Sequence, residues 1–188
     1  MPTGTAMRAA VSSAVRDVLV GPDWRGWVVA RWSPYPGSTL AGSVEVGASP
    51  PPDAAVHVAR IAVPSGIHIS RADLRRAAAN GYGELGDVLA RAVVDRWFPP
   101  ERTRQALSGA YPRPRLAELR YRSVAETYDT TVPSLLRDGD ADGANERLAA
   151  AMGAAFAAEM RSRFDSPTAA AEAIDPGTVT VVVRTWST

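Results

Sequence analysis

The stretch "GWVVARWSPYPGSTLAGSVEV", residues 26–46, decides the fold because it contains two strand-like runs joined by a tight turn. Residues 26–32 and 39–46 are rich in Val, Trp and Thr, which favour the pleated, half-buried surface of a strand. The intervening "SPYPGS" (33–38) has the Pro and Gly content and the length of a hairpin loop. A link this short cannot carry a parallel crossover, so the two strands are predicted to pair in antiparallel fashion.

Two further runs extend this sheet. "AAVHVARIAV" (54–63) follows the stiff connector "SPPPD" (49–53) and is predicted to be a third strand, also antiparallel. "TVTVVVRTW" (178–186) predicts a closing strand. Residues 115–126, "RLAELRYRSVAE", fit a strand slightly better than a helix, which would bring the sheet to about five strands.

Apolar residues recur at helical spacing in the remaining segments. These helical stripes cover residues 7–18, 71–79, 85–97 and about 142–164. Ser70, with Asp73 three residues later, has the spacing of a capping box at the start of the second helix. The resulting order α-βββ-α(α)-β-α-β predicts one α+β domain over residues 1–188. Its sheet is expected to be mainly antiparallel, with the helices packed on one face.

Composition excludes several kinds of chemistry. The chain has 21 basic and 20 acidic residues, and every basic residue is Arg because Lys is absent. Without Lys there is neither a Schiff-base lysine nor a P-loop lysine. Each Arg guanidinium is a permanent cation suited to binding a carboxylate or a phosphate. Cys is also absent, which excludes thiolate nucleophiles, iron–sulfur clusters and thiolate zinc sites. We therefore expect no cofactor and no metal, and the Ala-, Pro- and Arg-rich composition indicates a GC-rich bacterial genome.

Charge and hydropathy also bear on location and partners. A net charge of +1 gives no bulk field that would drive the protein onto nucleic acid or a membrane. The first residues, "MPTGTAMRAAVSSAVRDVLVGPD", lack the apolar core of a signal peptide, and no later run is long enough for a membrane span. We expect a cytoplasmic protein with neither nucleic acid nor membrane as a partner.

The string Gly81-x-Gly83-x-x-Gly86 matches the glycine spacing of a dinucleotide-binding loop. In that loop a strand delivers the chain into a tight turn, so that the pyrophosphate sits on a helix N-terminus. Here the preceding segment (71–79) is a predicted helix, and Glu101, at the spacing of the acidic partner, follows a double proline. The glycines are therefore interpreted as a helix junction that needs positive φ and close packing, with weak anion binding at the helix start left open.

A second motif matches the first half of a calcium-binding EF-hand loop through Asp138, Asp140, Asp142 and Gly143. The twelfth position, which should be a bidentate Glu, is Ala149 and lies inside a helical stripe. We therefore predict no calcium site. The segment is interpreted as a solvated turn in which Asp142 caps the next helix.

Ser65 lies in "VPSGIH", between a predicted strand and a predicted helix, where a nucleophile elbow would place a catalytic serine. The elbow needs glycine two residues before and two residues after the serine, and these positions are Val63 and Ile67. Ser65 is therefore interpreted as a turn residue.

His57 and His68 are the only two histidines of the chain. Both lie in or just after the third predicted strand, and an unperturbed imidazole titrates near neutral pH, as acid–base catalysis requires. Two histidines without an H-E-x-x-H motif do not make a recognisable zinc site. They are the candidate catalytic residues, and the alternative is that both are half-exposed residues without a chemical role.

Seven arginines lie between positions 96 and 122, and the acidic residues in or directly beside this range are Asp95, Glu101 and Glu118. If the segment 115–124 is a strand, Arg120 and Arg122 share one face while Leu119 and Tyr121 take the other. Arg120 and Arg122 are therefore the candidate substrate-binding residues, as a clamp for carboxylate or phosphate. The alternative is a polar sheet face paired with acidic residues elsewhere.

Two functional hypotheses follow. The first, which we favour slightly, is a cofactor-independent enzyme that performs acid–base chemistry on a small organic substrate, held by the arginines where it is anionic. The second is a non-catalytic binding or assembly protein, as a homo-oligomer or with a protein partner, that uses an Arg- and Trp-rich interface. Trp27 and Trp32 are five residues apart in the first strand, so a regular strand places them on opposite faces.

Overall fold

The structure, a computed structural model, describes residues 24–107 and 114–187. The helix expected over residues 7–18 lies outside the described residues. Helices and strands are both present in the described part, and the strands form one antiparallel sheet, which confirms the expected α+β class.

The chain contains two compact units. Met1–Gly66 and Asp175–Thr188 form the first, here called the sheet unit, and Ile67–Ile174 form the second, here called the helical unit. The assignment of residues 1–188 to one domain stays a prediction.

The described strands of the sheet unit are β1 (Trp24–Trp32), β2 (Gly42–Gly47), β3 (His57–Pro64) and β4 (Thr178–Ser187). Their order is β2-β1-β4-β3, and every neighbouring pair is antiparallel. The predicted hairpin is confirmed, since β1 and β2 pair from Trp27 opposite Gly47 to Trp32 opposite Gly42. The last strand along the chain, β4, lies between β1 and β3.

Register assigns each residue to a face of the sheet, because side chains alternate along a strand and directly paired residues share a face. One face, here called the apolar face, carries Ala30 and Trp32 of β1 opposite Val181 and Val179 of β4. All four side chains are buried. The indole nitrogen of Trp32 donates to the carbonyl oxygen of Pro176 at 2.9 Å, so this buried tryptophan has its one polar atom satisfied.

Ser65 directly follows β3 and is buried. Its hydroxyl donates to the carbonyl oxygen of Pro176 at 2.7 Å, and its backbone N–H donates to the carbonyl of Gly177 at 2.8 Å. These bonds tie the end of β3 to the turn before β4. Ser65 is therefore a structural turn residue, as the sequence predicts.

The described residues of the helical unit form α1 (Arg71–Ala79), α2 (Tyr82–Trp97), α3 (Pro100–Leu107), α4 (Pro114–Thr127), α5 (Pro133–Arg137), α6 (Ala141–Arg163) and α7 (Pro167–Ala173). The predicted cap of α1 is confirmed. The hydroxyl of Ser70 accepts the backbone N–H of Asp73 at 3.0 Å and donates to the carboxylate of Asp73 at 2.6 Å.

Residues 115–126 are helical, so the strand interpretation of this segment is wrong and the described sheet has four strands rather than about five. The strand pattern placed Leu119 and Tyr121 on one apolar face. In the helix they point to different sides, and Leu119 is 53% exposed whereas Tyr121 is 1% exposed. The buried residues Tyr121 and Ala125 are four apart, which is the helical period, and Pro114 occupies the first turn, where proline is tolerated.

The start of α6 corrects one detail of the sequence interpretation. Asp140 is the N-cap rather than Asp142, because its carboxylate accepts the backbone N–H of Gly143 at 2.8 Å. A cap side chain reaches the third N–H of its helix, and only Asp140 stands at the right distance along the chain. Asp142 lies in the first turn, and Ala149, at the twelfth position of the apparent calcium loop, is buried in the same helix.

The three glycines at 81, 83 and 86 form a helix junction, as predicted. α1 ends just before them, and Gly81 is the N-cap of α2 with φ of 103°, a conformation that favours glycine. Gly86 lies where α2 meets α6, and a Cβ atom there would lie 2.4 Å from the carbonyl oxygen of Gly153. The two helix backbones therefore approach each other at this point, and only a residue without a side chain fits.

We expect Gly86→Ala to lower the free energy of unfolding by about 1–3 kcal/mol, because the added methyl group forces α2 and α6 apart. Gly83→Ala is the matched control. A Cβ atom at Gly83 meets nothing within 4 Å, so the better helix propensity of alanine should leave stability unchanged or raise it by up to about 1 kcal/mol. Urea unfolding followed by circular dichroism measures both, and equal effects would contradict the close approach at Gly86.

Candidate functional site

The face of the sheet opposite the apolar face carries four arginines and is here called the arginine face. The register places Arg184 of β4 between Trp27 of β1 and Val58 of β3, so all three share this face. Positions an even number of residues away on the same strands share it too. The four arginines of this face are Arg25 and Arg31 on β1, Arg60 on β3 and Arg184 on β4.

Arg184 stacks on a tryptophan. Its guanidinium carbon lies 4.6 Å from the centroid of the Trp27 ring, and both residues are half-buried. A cation–π contact of this kind contributes about 0.5–1 kcal/mol at a partly exposed site. The contact fixes the guanidinium on the sheet, while its N–H donors stay in the plane of the group, where a carboxylate can meet two of them.

The other three arginines, Arg25, Arg31 and Arg60, are exposed. None of the four guanidiniums of this face forms an ion pair or hydrogen bond with another residue in the described parts of the chain. Glu45, opposite Val29, is the one carboxylate that the described strands place on this face. Four positive charges against one negative charge leave the arginine face positive.

The arginines are spread widely over the face. Arg25 and Arg31 are six residues apart on β1, which corresponds to about 20 Å along a strand. Arg60 and Arg184 lie on the adjoining strands β3 and β4, so the charges cover the sheet in both directions. Arg25 and Arg31 are too far apart to bind one small anion together, and the four arginines as a set match an extended partner with several negative groups.

The candidate catalytic residues of the sequence lie in different compact units. His57 opens β3, opposite Thr185 on the apolar-face side, and His68 belongs to the helical unit, just before α1. Both side chains are exposed. The strand β3, eight residues long, separates them along the chain. An acid–base role for either histidine stays a prediction.

The candidate clamp of Arg120 and Arg122 loses its geometric basis. The two residues lie two apart on the helix α4, so their side chains point to different sides instead of sharing a face. Arg122 is exposed and lines a small pocket with Glu118, Arg137 and the start of α5. Arg120 is half-buried, and burial lowers the pKa of its guanidinium. Binding of an anion by either residue stays a prediction.

Beside Arg120, a buried hydrogen-bond network joins the residue after α2 to the helices α3, α4 and α6. The hydroxyl of Tyr121 donates to Asn145 Oδ1 at 2.5 Å, and Asn145 Nδ2 donates to the carbonyl oxygen of Phe98 at 2.8 Å. The hydroxyl groups of Tyr121 and Thr103 lie 3.2 Å apart. Because the single phenol proton goes to Asn145, the Thr103 hydroxyl supplies the proton of that second bond.

This network explains the acid–base state of Tyr121. Burial raises the pKa of the Tyr121 phenol to about 12, and the hydrogen bond with Thr103 offsets part of that rise. Desolvation disfavours the phenolate more than the neutral phenol. Tyr121 is therefore a neutral structural donor at physiological pH.

A pocket beside this network is acidic. It has a volume of about 510 Å³ and is bordered by α2 and α6. Its carboxylates are those of Asp87, Asp95, Asp142 and Glu146.

Within residues 24–107 and 114–187, no group of three or more His, Cys, Asp or Glu side chains has an arrangement suited to a metal ion. No helix in these same ranges is long and apolar enough to cross a membrane.

We expect Tyr121→Phe to lower the free energy of unfolding at pH 7 by about 1–3 kcal/mol, since Asn145 and Thr103 lose a buried partner. The pKa of Tyr121 in the fold, about 12, lies above its usual value of 10.0. The neutral phenol therefore stabilises the fold fully below pH 10, and this contribution is lost as pH rises toward 12. Urea unfolding at pH 7 and at alkaline pH measures both effects.

Tyr128→Phe is the control for this prediction. Burial likewise raises the pKa of Tyr128 to about 12, but the Tyr128 hydroxyl has no hydrogen-bond partner in the described part of the chain. Its removal should change stability at pH 7 by less than about 0.5 kcal/mol. Each variant should lose less stability above pH 10 than the unchanged chain. An equal cost of the two substitutions at pH 7 would contradict the network.

The arginine face comes from residues that are far apart in sequence, which is why the linear arginine cluster at 96–122 pointed elsewhere. The sequence does contain a signal for this face, since Arg25, Trp27 and Arg31 lie at alternate positions along β1 and Arg184 and Trp186 do so along β4.

No curated protein and no solved structure matches the chain. A family described as "Family of unknown function (DUF7284)" matches residues 1–186, which is almost the whole length. The chain therefore belongs to the family of unknown function DUF7284.

Proposed function

We propose that this protein is a non-catalytic binding module whose arginine face docks an acidic region of a protein partner. The observation that carries the proposal is the set of four arginines spread over one face of the sheet without ion-pair partners among the described residues. Arginine is the cation best suited to paired contacts with carboxylates, because its planar fork presents parallel N–H donors.

The spacing of the charges favours a macromolecular partner over a small substrate. The distance of about 20 Å between Arg25 and Arg31 exceeds the size of a small organic anion, so separate arginines would contact separate carboxylates. An acidic protein segment supplies several carboxylates at strand-like or helical intervals. This binding function corresponds to the Arg- and Trp-rich interface expected from the sequence, with different arginines.

Two features favour an acidic protein over nucleic acid. The Trp27 ring is stacked under Arg184, so it is not an open platform on which a base could stack. Glu45 interrupts the positive surface, and the whole chain has a net charge of only +1. A cytoplasmic location, a bacterial source and a homo-oligomeric state stay predictions from the sequence.

The expected affinity is modest. An exposed ion pair contributes about 0.2–1 kcal/mol, so a few such contacts act mainly through their number and through electrostatic steering. Binding should therefore weaken as salt shortens the range of charge interactions, which is about 10 Å at 0.1 M.

Fluorescence anisotropy with a labelled poly-L-glutamate of about 20 residues tests the proposal, since carboxylates are the only side-chain groups that it presents. We expect the double variant Arg31→Gln/Arg60→Gln to weaken binding by about 10-fold, which corresponds to about 1.4 kcal/mol. The matched control, Arg75→Gln/Arg102→Gln, removes two exposed arginines of α1 and α3 and should leave the affinity unchanged.

Two results would contradict the proposal. Equal weakening by both double variants would show that poly-L-glutamate responds to overall charge and not to the arginine face. Binding of single-stranded DNA of matched length about 10-fold more tightly than poly-L-glutamate would identify nucleic acid as the partner class instead.

A further inference from the structure

From Val58 to Pro64, the outer edge of β3 is open in the described part of the structure. β3 stands at one end of the sheet order and pairs only with β4 among the described strands. Seven of its eight residues are exposed, including the large apolar residues Val58 at 50% and Ile61 at 52%. An edge strand presents a row of unpaired backbone N–H and C=O groups, which is a template for another strand.

Edge strands of soluble proteins are usually protected by shortness, inward-pointing charge, bulges or proline. β2, at the opposite end of the sheet, is only six residues long and ends at Gly47, whose φ of 96° breaks the extended conformation. β3 is longer, carries its single proline at the last position and has one charged side chain, Arg60. Of the two edges, β3 is therefore the one suited to accept a strand.

We propose that the outer edge of β3 binds an extended acidic segment of a protein partner as an additional strand of the sheet. This inference rests on the proposed function of the arginine face and specifies how the partner engages it. Backbone hydrogen bonds would hold the segment, and the side chains of the edge would select its sequence.

Charge and hydropathy define the segment. A partner residue directly opposite Arg60 lies on the arginine face, where a carboxylate pairs with the guanidinium. The next partner residue, opposite Ile61, lies on the other face beside an exposed apolar side chain and is therefore apolar. Arg184, opposite Val58 on β4, adds a second positive charge on the same face. The segment thus alternates acidic and apolar residues.

A second copy of this chain fits the edge less well. Residues 54–69, which contain β3, include no Asp or Glu, so β3 paired with its own copy leaves Arg60 without a carboxylate. A symmetric antiparallel pair centred on Arg60 would place two guanidiniums directly opposite each other, which is destabilising. An acidic segment of another protein meets both requirements.

The test uses a labelled peptide of eight alternating Val and Glu residues, and the same peptide N-methylated at every residue. The two carry the same charge, but the methylated peptide has no backbone N–H to donate along either of its edges. We expect the unmodified peptide to bind the full chain at least about 10-fold more tightly in fluorescence anisotropy, in line with the hydrogen bonds lost. Hydrogen exchange should slow at the amides of β3 only with the unmodified peptide.

A variant of the edge provides an independent measurement. Ile61→Lys places a charge at an exposed position of the edge strand, where charged residues oppose pairing with another strand. It should therefore lower the affinity for the Val-Glu peptide, while the affinity for poly-L-glutamate stays unchanged or rises. Leu119→Lys is the matched control, because Leu119 lies on α4 and is as exposed as Ile61. This substitution should change the affinity for neither peptide. Circular dichroism checks whether both variants fold. The comparison of the Val-Glu peptide with its methylated form uses the unchanged chain and does not depend on either variant.

Three results would overturn the inference. If both peptides bind equally and Arg31→Gln/Arg60→Gln weakens both, the arginine face binds acidic chains without strand addition, and the proposed function survives alone. If neither peptide nor poly-L-glutamate binds, both proposals fail. If the chain alone is a dimer by light scattering and becomes a monomer in Ile61→Lys, a second copy occupies the edge.

Discussion

The antiparallel pairing of β1 with β4, over nine residue pairs from Trp24 to Trp32, is the constraint on which the sheet unit depends. Because side chains alternate with a period of two, a slip of one residue would exchange the two faces. The observed register buries Trp32 against Val179 and leaves Arg184 on the opposite face, stacked on Trp27. The core and the positive surface therefore follow from one set of backbone hydrogen bonds.

The sheet unit depends on strand register, whereas the helical unit depends on close contact between helix backbones. The glycines Gly86 and Gly153 let α2 and α6 approach to a distance at which no side chain fits. Elsewhere in the helical unit, the hydrogen bonds of Tyr121 with Asn145 and Thr103 satisfy buried polar groups. A satisfied polar network of this kind stabilises one arrangement of its helices, since any other arrangement leaves buried groups unpaired.

The arginine face and the linear arginine cluster differ in what folding does to them. Arg120 and Arg122 are close in sequence, but the helix α4 turns them to different sides. Arg25, Arg60 and Arg184 are separated by up to 159 residues along the sequence, and the strand order β2-β1-β4-β3 brings them onto one face. The proposed function therefore rests on charge that the sheet assembles, with the edge of β3, which pairs only with β4 among the described strands, beside it.

Sequence alone determined the features that depend on local physics. The hairpin at residues 26–46, the capping box at Ser70 and the glycine junction at Gly81 all follow from neighbouring residues, whose conformational preferences act over a few positions. Residues 115–126 carried both the alternation of a strand and the four-residue spacing of a helix, so packing around Tyr121 decided between them. Only the tertiary structure placed β4 between β1 and β3, because strand order depends on pairing between segments more than a hundred residues apart, which no local preference specifies. The same long-range pairing decided which arginines share a face.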